Sequence, residues 1–412
     1  MMTYMIDWAS LGRSARALAG TPCFLLSEQR VHIALTAQCG LESSLPLRHW
    51  LSLKTQPIRR LVDICRDRDI GVEVVSEFEL AGALGSNVPP TAILVNGVGK
   101  QHWLPRYRVA GLTVHFDSLA EVRALAGMAR ALAWRVGLRC AVPQSVNGLA
   151  PVWDQFGIVA EEVPVAVAIL ADGGVPVRGL HVHLDTNVAH ASRYGRALAH
   201  FQQVCVLARL EPEYLDVGGG LPIAGERPRE GPRAASTFDL EEFRNVLQSI
   251  PDLFPSVCEV WLENGRFLTG AAGALVVTVL DRKERGGRTY LICDGGQTNH
   301  ARLAATEVHD ILLEPNRGGP ERETVVCGPT CGAVDRLGCW MLPESISPGD
   351  MLIWLNAGAY HIPLETRFSF GLAPVVWVDE NDKLEVVRER ETPEQWWSQW
   401  ISSGRSANAP AR

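Results

Sequence analysis

The chain has 412 residues, 47% of them hydrophobic, and a formal net charge of −7 from 39 Lys and Arg against 46 Asp and Glu. That apolar fraction can fill a large core, and the length suits two domains or one barrel with an appendage. The two signs of charge are interspersed, which excludes a basic stripe for nucleic acid and a polybasic membrane anchor, so the expected partner is a small molecule.

The first segment, Met1 to Gly20, sets Asp7, Arg13 and Arg16 among its apolar residues and lacks the uninterrupted apolar stretch of a signal peptide. No later run approaches the ~20 apolar residues of a membrane span, and a cytoplasmic protein is expected. Ten cysteines at irregular spacings point to reduced thiols that mostly act as small buried hydrophobes. Cys327, Cys331 and Cys339 cluster, but no His/Cys pair elsewhere has zinc-site spacing, so no metal is expected.

From Thr21 to about Gly270, short β-branched runs alternate with longer stretches of helical periodicity. The first candidate run, Leu51-Ser52-Leu53-Lys54, stops at a lysine before the breaker Thr55-Gln56-Pro57. Further runs are Ala92 to Val95, Leu112 to Phe116 and Gly179 to His183, and the helical stretches include Leu119 to Trp134 and Arg193 to Leu210. This alternation predicts repeated βα units and a parallel sheet, and its extent suits an α/β fold of the (β/α)8 TIM-barrel type over residues 25–270. Ile223 to Thr237, rich in Pro, Gly, Arg and Glu, reads as a surface loop inserted in that half.

After Gly270 the texture changes to strands and turns without long helices: Ala274 to Leu280, Thr289 to Cys293, Thr324 to Val326, Met351 to Trp354, Val375 to Val378 and Leu384 to Val387. A second, mostly β domain is expected from residues 1–24 and 271–401, with a disordered polar tail at 402–412.

Chemistry-bearing residues fall at the ends of the apolar runs. A lysine at a barrel strand's C-terminal end points into the site, where desolvation favours imine formation; a solvated strand-end lysine is the plainer reading of Lys54 alone. His181 and His183 share one strand face, which fits metal binding, a ring stacked on a planar cofactor, or hydrogen-bonded core histidines, and no carboxylate motif accompanies them as a third ligand. Gly218-Gly219-Gly220 lets backbone N–H groups converge on an anion, or makes a simple turn. Glu263 could hold a protonated ring nitrogen, with the Gly265 amide and Arg266 beside it for a phosphate, though a structural Glu–Arg pair is the plainer reading of these residues alone. Cys331, in Cys327-Gly328-Pro329-Thr330-Cys331, and Tyr360, in Asn356-Ala357-Gly358-Ala359-Tyr360, complete the series.

In this order, lysine, histidine, triple glycine, Glu-x-Gly-Arg, Gly-Pro-x-Cys and Gly-Ala-Tyr resemble the pyridoxal-phosphate-dependent ornithine/diaminopimelate decarboxylase family, from Thr21-Pro22 to about Ala373. Glu73-Val74-Val75-Ser76-Glu77-Phe78-Glu79-Leu80, Gly97-Val98-Gly99-Lys100, His115-Phe116-Asp117-Ser118 and Gln155-Phe156-Gly157-Ile158 also fit. The resemblance implies an alanine-racemase-like barrel with a β domain, pyridoxal 5'-phosphate as cofactor, and a homodimer. Lys54 would carry the cofactor and His183 would stack on its ring. Glu263 would pair with the ring nitrogen, and Thr186, Gly218, Gly219, Gly220, Gly265, Arg266 and Tyr360 would serve the phosphate. Cys331, supplied across the dimer interface, would return a proton to the α-carbon after carbon dioxide leaves, a task that suits an ordinary thiol. Arg302, after Asp294-Gly295-Gly296, would hold an acidic group of the substrate.

Three departures bear on substrate. Gly332 stands where decarboxylases of free diamino acids carry an acid for the distal ammonium, and Asp335 is the candidate replacement. Asn264 replaces a proline, and Asp185-Thr186-Asn187 replaces Gly-Ser, with Thr186 keeping a hydroxyl. With Gly296-Gln297, these changes resemble the branch acting on amino acids conjugated to citrate in siderophore assembly. The alternatives are a decarboxylase of a free diamino acid, a racemase of the same barrel, and a regulatory homologue without chemistry. The racemases generally use a tyrosine where this chain has Cys331, and a regulatory homologue would lose residues that are all present.

Overall fold

The computed structural model describes residues 6–148, 155–223, 227–228, 238–300 and 307–401. Arg302, most of the surface loop expected at 223–237 and the tail at 402–412 lie outside the described residues. Two compact units emerge: residues 29–272 with 358–363, and residues 1–28 with 273–357 and 364–412. The segment 358–363, grouped by sequence with the β half, clusters with the barrel, and Tyr360 comes with it.

The first unit is a closed barrel of eight strands. In chain order these are Leu47–Ser52, Gly71–Val74, Ile93–Val95, Thr113–Phe116, Arg135–Arg139, Val177–His181, Tyr214–Asp216 and Glu259–Asn264. All neighbours pair in parallel, and the barrel closes where Glu263 is in register with Trp50 and Asn264 with Leu51. Strands such as Gly71–Val74 and Thr113–Phe116 are buried along their whole length. Covered on both faces, they carry apolar residues on both sides, and the titratable members Glu73 and His115 point into the barrel interior among the site residues. Ser76 and Ser118 cap the helices Glu77–Gly85 and Leu119–Ala131, accepting from the Glu79 and Glu121 amides at 3.3 Å.

Large rings fill the lower barrel. Trp50, Leu94, Tyr214 and Trp261 form one buried cluster, with Tyr214 and Trp261 stacked at 3.7 Å between centroids. Two strand glycines make the room: a Cβ on Gly71 would lie 2.3 Å from the Trp50 ring, and one on Gly179 would lie 2.2 Å from the Tyr214 ring. Arg48 covers Trp50 at 4.3 Å, and Arg135 covers Tyr214 at 4.6 Å.

The second unit is a nine-stranded sheet. Its centre is Gly273–Arg285, which pairs antiparallel with Arg288–Cys293, Met351–Trp354 and Cys23–Ser27; the last runs parallel to Val375–Val378. The helix Trp8–Ala19, capped by Asp7, packs Trp8, Leu11 and Ala15 onto this sheet's core. Arg336–Pro343 and Ile311–Glu314 are strands that the sequence reading leaves out. Both are partly exposed, and each holds only a short apolar stretch, Ile311 to Leu313 and Cys339 to Leu342, next to turn residues.

Candidate active site

The C-terminal ends of the barrel strands converge on a cavity of about 420 Å³ lined by Lys54, Glu73, Asn96, Arg139, His183 and Glu263 among others. Lys54 follows Leu47–Ser52 on a single 3-10 turn, Leu53–Thr55, which the Gln56-Pro57 pair ends. Its Nζ donates to Glu73 Oε2 at 2.8 Å and to Oε1 at 3.0 Å. Ser52 Oγ donates to the same carboxylate. Burial alone would lower the Lys54 pKa, but the Glu73 and Glu263 carboxylates outweigh it and the ammonium is favoured. The desolvated, neutralised lysine expected from the sequence is therefore not the ground state here; Glu73 holds the proton on Nζ.

His183 lines the cavity two residues past the strand Val177–His181, with its Nδ1 3.5 Å from the Gly219 amide. Burial first, then Lys54, lowers its pKa to about 3, so the ring is neutral and suited to stacking. His181, one pleat lower, is fully buried, and its Nε2 is 3.4 Å from Glu263 Oε1. The two histidines do not act as a pair: His181 groups with His115 and Glu263, whose nitrogen and oxygen atoms lie within 4.8 Å of one another, whereas His183 faces the cavity.

Glu263 ends the strand Glu259–Asn264 and is 4% exposed. Asn96 Nδ2 donates to its Oε1. Burial, then the neighbouring carboxylates of Asp216 and Glu73, pushes its pKa well above the usual carboxylate range. A buried carboxylate in that position gains most from a cation placed against it.

The glycine run forms a tight loop after Tyr214–Asp216. Gly218 and Gly220 have φ of +72° and +94°, and a Cβ on Gly219 would lie 2.2 Å from the Glu263 carbonyl oxygen. Only glycine fits this loop in contact with the neighbouring strand end. Arg266 is 6% exposed; its Nε donates to Thr186 Oγ1 at 3.3 Å and its guanidinium sits 5.0 Å from the Tyr360 ring centroid. Tyr360 has φ +67°, and its amide donates to the Thr55 carbonyl at 2.8 Å, which ties it to the Lys54 turn. Gly265 abuts the same turn, a Cβ there falling 2.3 Å from Thr55 Cγ2. Gly218–Gly220, Thr186, Gly265, Arg266 and Tyr360 therefore belong to one neighbourhood of the barrel unit.

Glu73, Asn96, Arg139 and Asp216 are not among the site candidates read from sequence. Each sits at or just past the end of a barrel strand, and listing strand-end polar residues without requiring a motif would have found them. Arg139 lies over Phe156 at 4.5 Å and 3.3 Å from Asp117.

In the second unit, Cys331 is exposed on a turn after the strand Glu321–Cys327. Asp335, taken from sequence as a substrate-binding candidate, is 5% exposed and committed elsewhere. Its Oδ2 accepts from Thr330 N at 3.0 Å and Thr330 Oγ1 at 2.6 Å, and its Oδ1 accepts from Gln297 N at 2.8 Å. The carboxylate holds the Cys331 turn in shape. Gly332 donates to Thr330 Oγ1 at 3.3 Å and leaves the next position without a charge.

A barrel whose strand ends gather a lysine, a neutral histidine, a buried acid and a tight glycine loop has the parts that a phosphate-bearing cofactor needs. Residues 41–270 match the family described as pyridoxal-dependent decarboxylase, pyridoxal binding domain. The chain belongs to the pyridoxal-dependent decarboxylases. It is 26% identical over 387 residues to the diaminopimelate decarboxylase of Deinococcus radiodurans, covering 92% of this chain and 95% of the relative. It is 27% identical over 248 residues to ornithine decarboxylase 2 of Drosophila melanogaster, covering 55% of this chain and 58% of the relative. The structure of diaminopimelate decarboxylase from M. jannaschii in complex with L-lysine has the same fold, with a TM-score of 0.82, 22% identity and 94% of each chain covered.

The protein is accordingly a pyridoxal-phosphate-dependent carboxy-lyase acting on an amino-acid centre, and the residues present fit the cofactor. The cavity is lined by the Lys54 amine, which becomes a nucleophile once it gives up the proton that Glu73 holds, and by the buried Glu263 carboxylate, and the glycine loop beside Glu263 has no room for a Cβ. No helix among the described residues is long and apolar enough to cross a membrane.

Proposed function

We propose that the chain removes the α-carboxylate of an amino-acid conjugate whose distal end carries no free ammonium, with an amino acid joined to citrate in siderophore assembly as the specific candidate. The observation that carries this is the Cys331 turn. Gly332 has no side chain, and the one carboxylate within the turn, Asp335, is buried and saturated by Thr330 and Gln297. An ammonium buried against that surface would lack a counter-charge, at a cost of several kcal/mol.

When bound, pyridoxal phosphate accepts the electron pair left at the α-carbon by departing carbon dioxide. The chain's residues make that possible in stated places. Lys54 Nζ would carry the cofactor, with Glu73 setting the protonation of the free amine. His183 would stack on the ring. Glu263 would pair with the ring nitrogen, and Gly218–Gly220, Gly265, Arg266, Thr186 and Tyr360 would hold the phosphate. Cys331 of a second copy would return the proton to the α-carbon. Dimerisation is supported by an apolar, largely aromatic face on the second unit that is exposed among the described residues: Phe368, Trp397, Trp400 and Ile401 are 57%, 60%, 63% and 60% exposed. A Cβ on Gly332 would lie 4.0 Å from Phe368, so that face is continuous with the Cys331 turn.

Decarboxylation of diaminopimelate is the second reading, favoured by near full-length similarity to the Deinococcus relative. It needs an acidic group for the distal ammonium from outside the Cys331 turn. A comparison of kcat/KM for diaminopimelate, ornithine, lysine and citryl-diaminopropionate separates the two. A preference of roughly 100-fold or more for the conjugate is expected, equivalent to about 2.7 kcal/mol. Turnover of diaminopimelate as fast as the conjugate refutes the first reading.

A further inference from the structure

The motif Gly97-Val98-Gly99-Lys100 has no part in the cofactor roles above, and its folding accounts for the residue before it. Asn96 follows the strand Ile93–Val95, is 3% exposed, and its backbone amide donates to the Val74 carbonyl at 2.8 Å. The chain then turns sharply. Gly97 has φ +82°, and a Cβ there would lie 2.6 Å from the Val75 carbonyl oxygen, so only glycine makes this turn. Fully buried Lys100 closes it: its Nζ donates to the Gly97 carbonyl at 2.6 Å and pairs with Glu121 Oε2 at 2.7 Å. Glu121 in turn accepts from the Lys100 amide at 3.1 Å and from the Asp117 amide at 2.9 Å. Opening this turn would leave a buried charge without its partner, so the position of Asn96 is firmly set.

From there the Asn96 side chain lines the cofactor cavity and reaches across the barrel, past two intervening strands, to Glu263. Its Nδ2 donates to Glu263 Oε1. The contact itself orients the amide, because Oδ1 turned toward Glu263 would set two acceptors against each other. His181 Nε2 lies 3.4 Å from the same carboxylate oxygen but makes no hydrogen bond. A hydrogen bond to a carboxylate is charge-assisted and favours the anion. The amide does this without a charge of its own. A cation in its place would neutralise Glu263 and compete with a ring N–H, and a second acid would repel it.

The geometry points to Asn96 as a positioning residue that holds Glu263 as an oriented anion, so that the proton between Glu263 and the cofactor's ring nitrogen stays on nitrogen instead of being shared. The role rests on Glu263 facing that nitrogen. The Gly97–Lys100 turn, with its buried Lys100–Glu121 pair, is then the brace that keeps the Asn96 amide on its target. The charged and titratable groups around Glu263 are Asp216, Glu73, Lys54, Arg139 and His181. Among these and the other described side chains, Asn96 is the neutral one that directs an N–H at Glu263 Oε1.

Nitrogen NMR of holoenzyme loaded with 15N-labelled pyridoxal phosphate reads where the proton sits. Wild type is expected at the position of a protonated ring and Glu263→Gln at that of an unprotonated one, and these two set the scale. Asn96→Leu keeps the side-chain volume and removes the donor. Loss of a hydrogen bond to a charged group changes the proton's partition between nitrogen and Glu263 by about tenfold or more, so the Asn96→Leu signal should move toward the Glu263→Gln position by at least about a tenth of the interval. A lower melting temperature with the signal unmoved would make Asn96 a packing residue and overturn the proposal. If Asn96→Leu fails to fold, Asn96→Ala, which cannot overpack, is read in the same way. Failure of the underlying reading is distinguishable, because the signal would then stay at the wild-type position in Glu263→Gln as well, and the proposal would fall with it.

Discussion

Gly219→Ala tests whether the glycine loop and Glu263 act as one unit. The new Cβ would start 2.2 Å from the Glu263 carbonyl oxygen and would need at least 3.0 Å, so the loop and the strand end must separate by about 0.8 Å. No flexible side chain absorbs this, since the obstructing atom is backbone and the Glu263 amide already donates to the Gly218 carbonyl at 2.9 Å. Overpacking of this kind costs about 1–3 kcal/mol. The displacement falls on the phosphate loop and on the strand that carries the Glu263 carboxylate, so cofactor affinity should drop by about 10- to 100-fold, or ~1.4–2.7 kcal/mol. Gly82→Ala is the matched control. Gly82 is an exposed glycine of the helix Glu77–Gly85 with nothing within 4 Å of its Cβ, and alanine there should stabilise by about 0.5–1 kcal/mol. Thermal melts of the apoprotein and fluorescence titration with pyridoxal phosphate measure both quantities. Gly219→Ala with unchanged cofactor affinity and melting temperature would refute the coupling.

Three further outcomes are expected. Glu73→Gln removes the carboxylate that keeps Lys54 charged, so stopped-flow loading of the apoprotein at pH 7 should be about tenfold faster for each pH unit by which Lys54 falls; slower or equal loading counts against that role. His49, 8% exposed with an unpartnered Nδ1, is lowered by burial to about 4 against ~6.5 unfolded. Between those values the unfolded chain binds the extra proton, so the His49 contribution is intact above pH ~6.5 and is lost by ~1.4 kcal/mol per unit as pH falls toward 4. Urea midpoints of His49→Gln should decline less steeply over that window than those of wild type; parallel slopes would contradict the burial argument. Gly332→Glu restores an acid after Cys331 and should raise kcat/KM for lysine or ornithine by at least about tenfold, whereas no gain would remove Gly332 from the specificity account.

Much of this arrangement was legible because barrel chemistry is written at strand ends. The strands ending near Lys54, His183, the glycines at 218–220 and Glu263 each carry a short apolar stretch that stops at a polar residue or glycine, and that stop marks the site. What escaped was decided by contacts across the barrel. Glu73 reaches Lys54 from the neighbouring strand, and the Glu263 amide meets the Gly218 carbonyl across the strand pair. No spacing within either segment records such meetings. Asp335 shows the opposite error. Its charge suggested a ligand for substrate, but the turn folds its carboxylate inward onto Thr330 and Gln297. Arg336–Pro343 holds the apolar stretch Cys339 to Leu342 between Gly338 and Pro343, and four such residues are too few for periodicity to assign a strand.

The central claim is loss of the α-carboxylate followed by protonation at the same carbon. Holoenzyme incubated in deuterium oxide with substrate labelled with 13C in the α-carboxyl group should release labelled carbon dioxide and leave one deuterium at the α-carbon of the product, and Lys54→Ala should do neither. Deuterium exchange at the α-carbon with the labelled carboxylate retained would mean racemisation and would contradict the account.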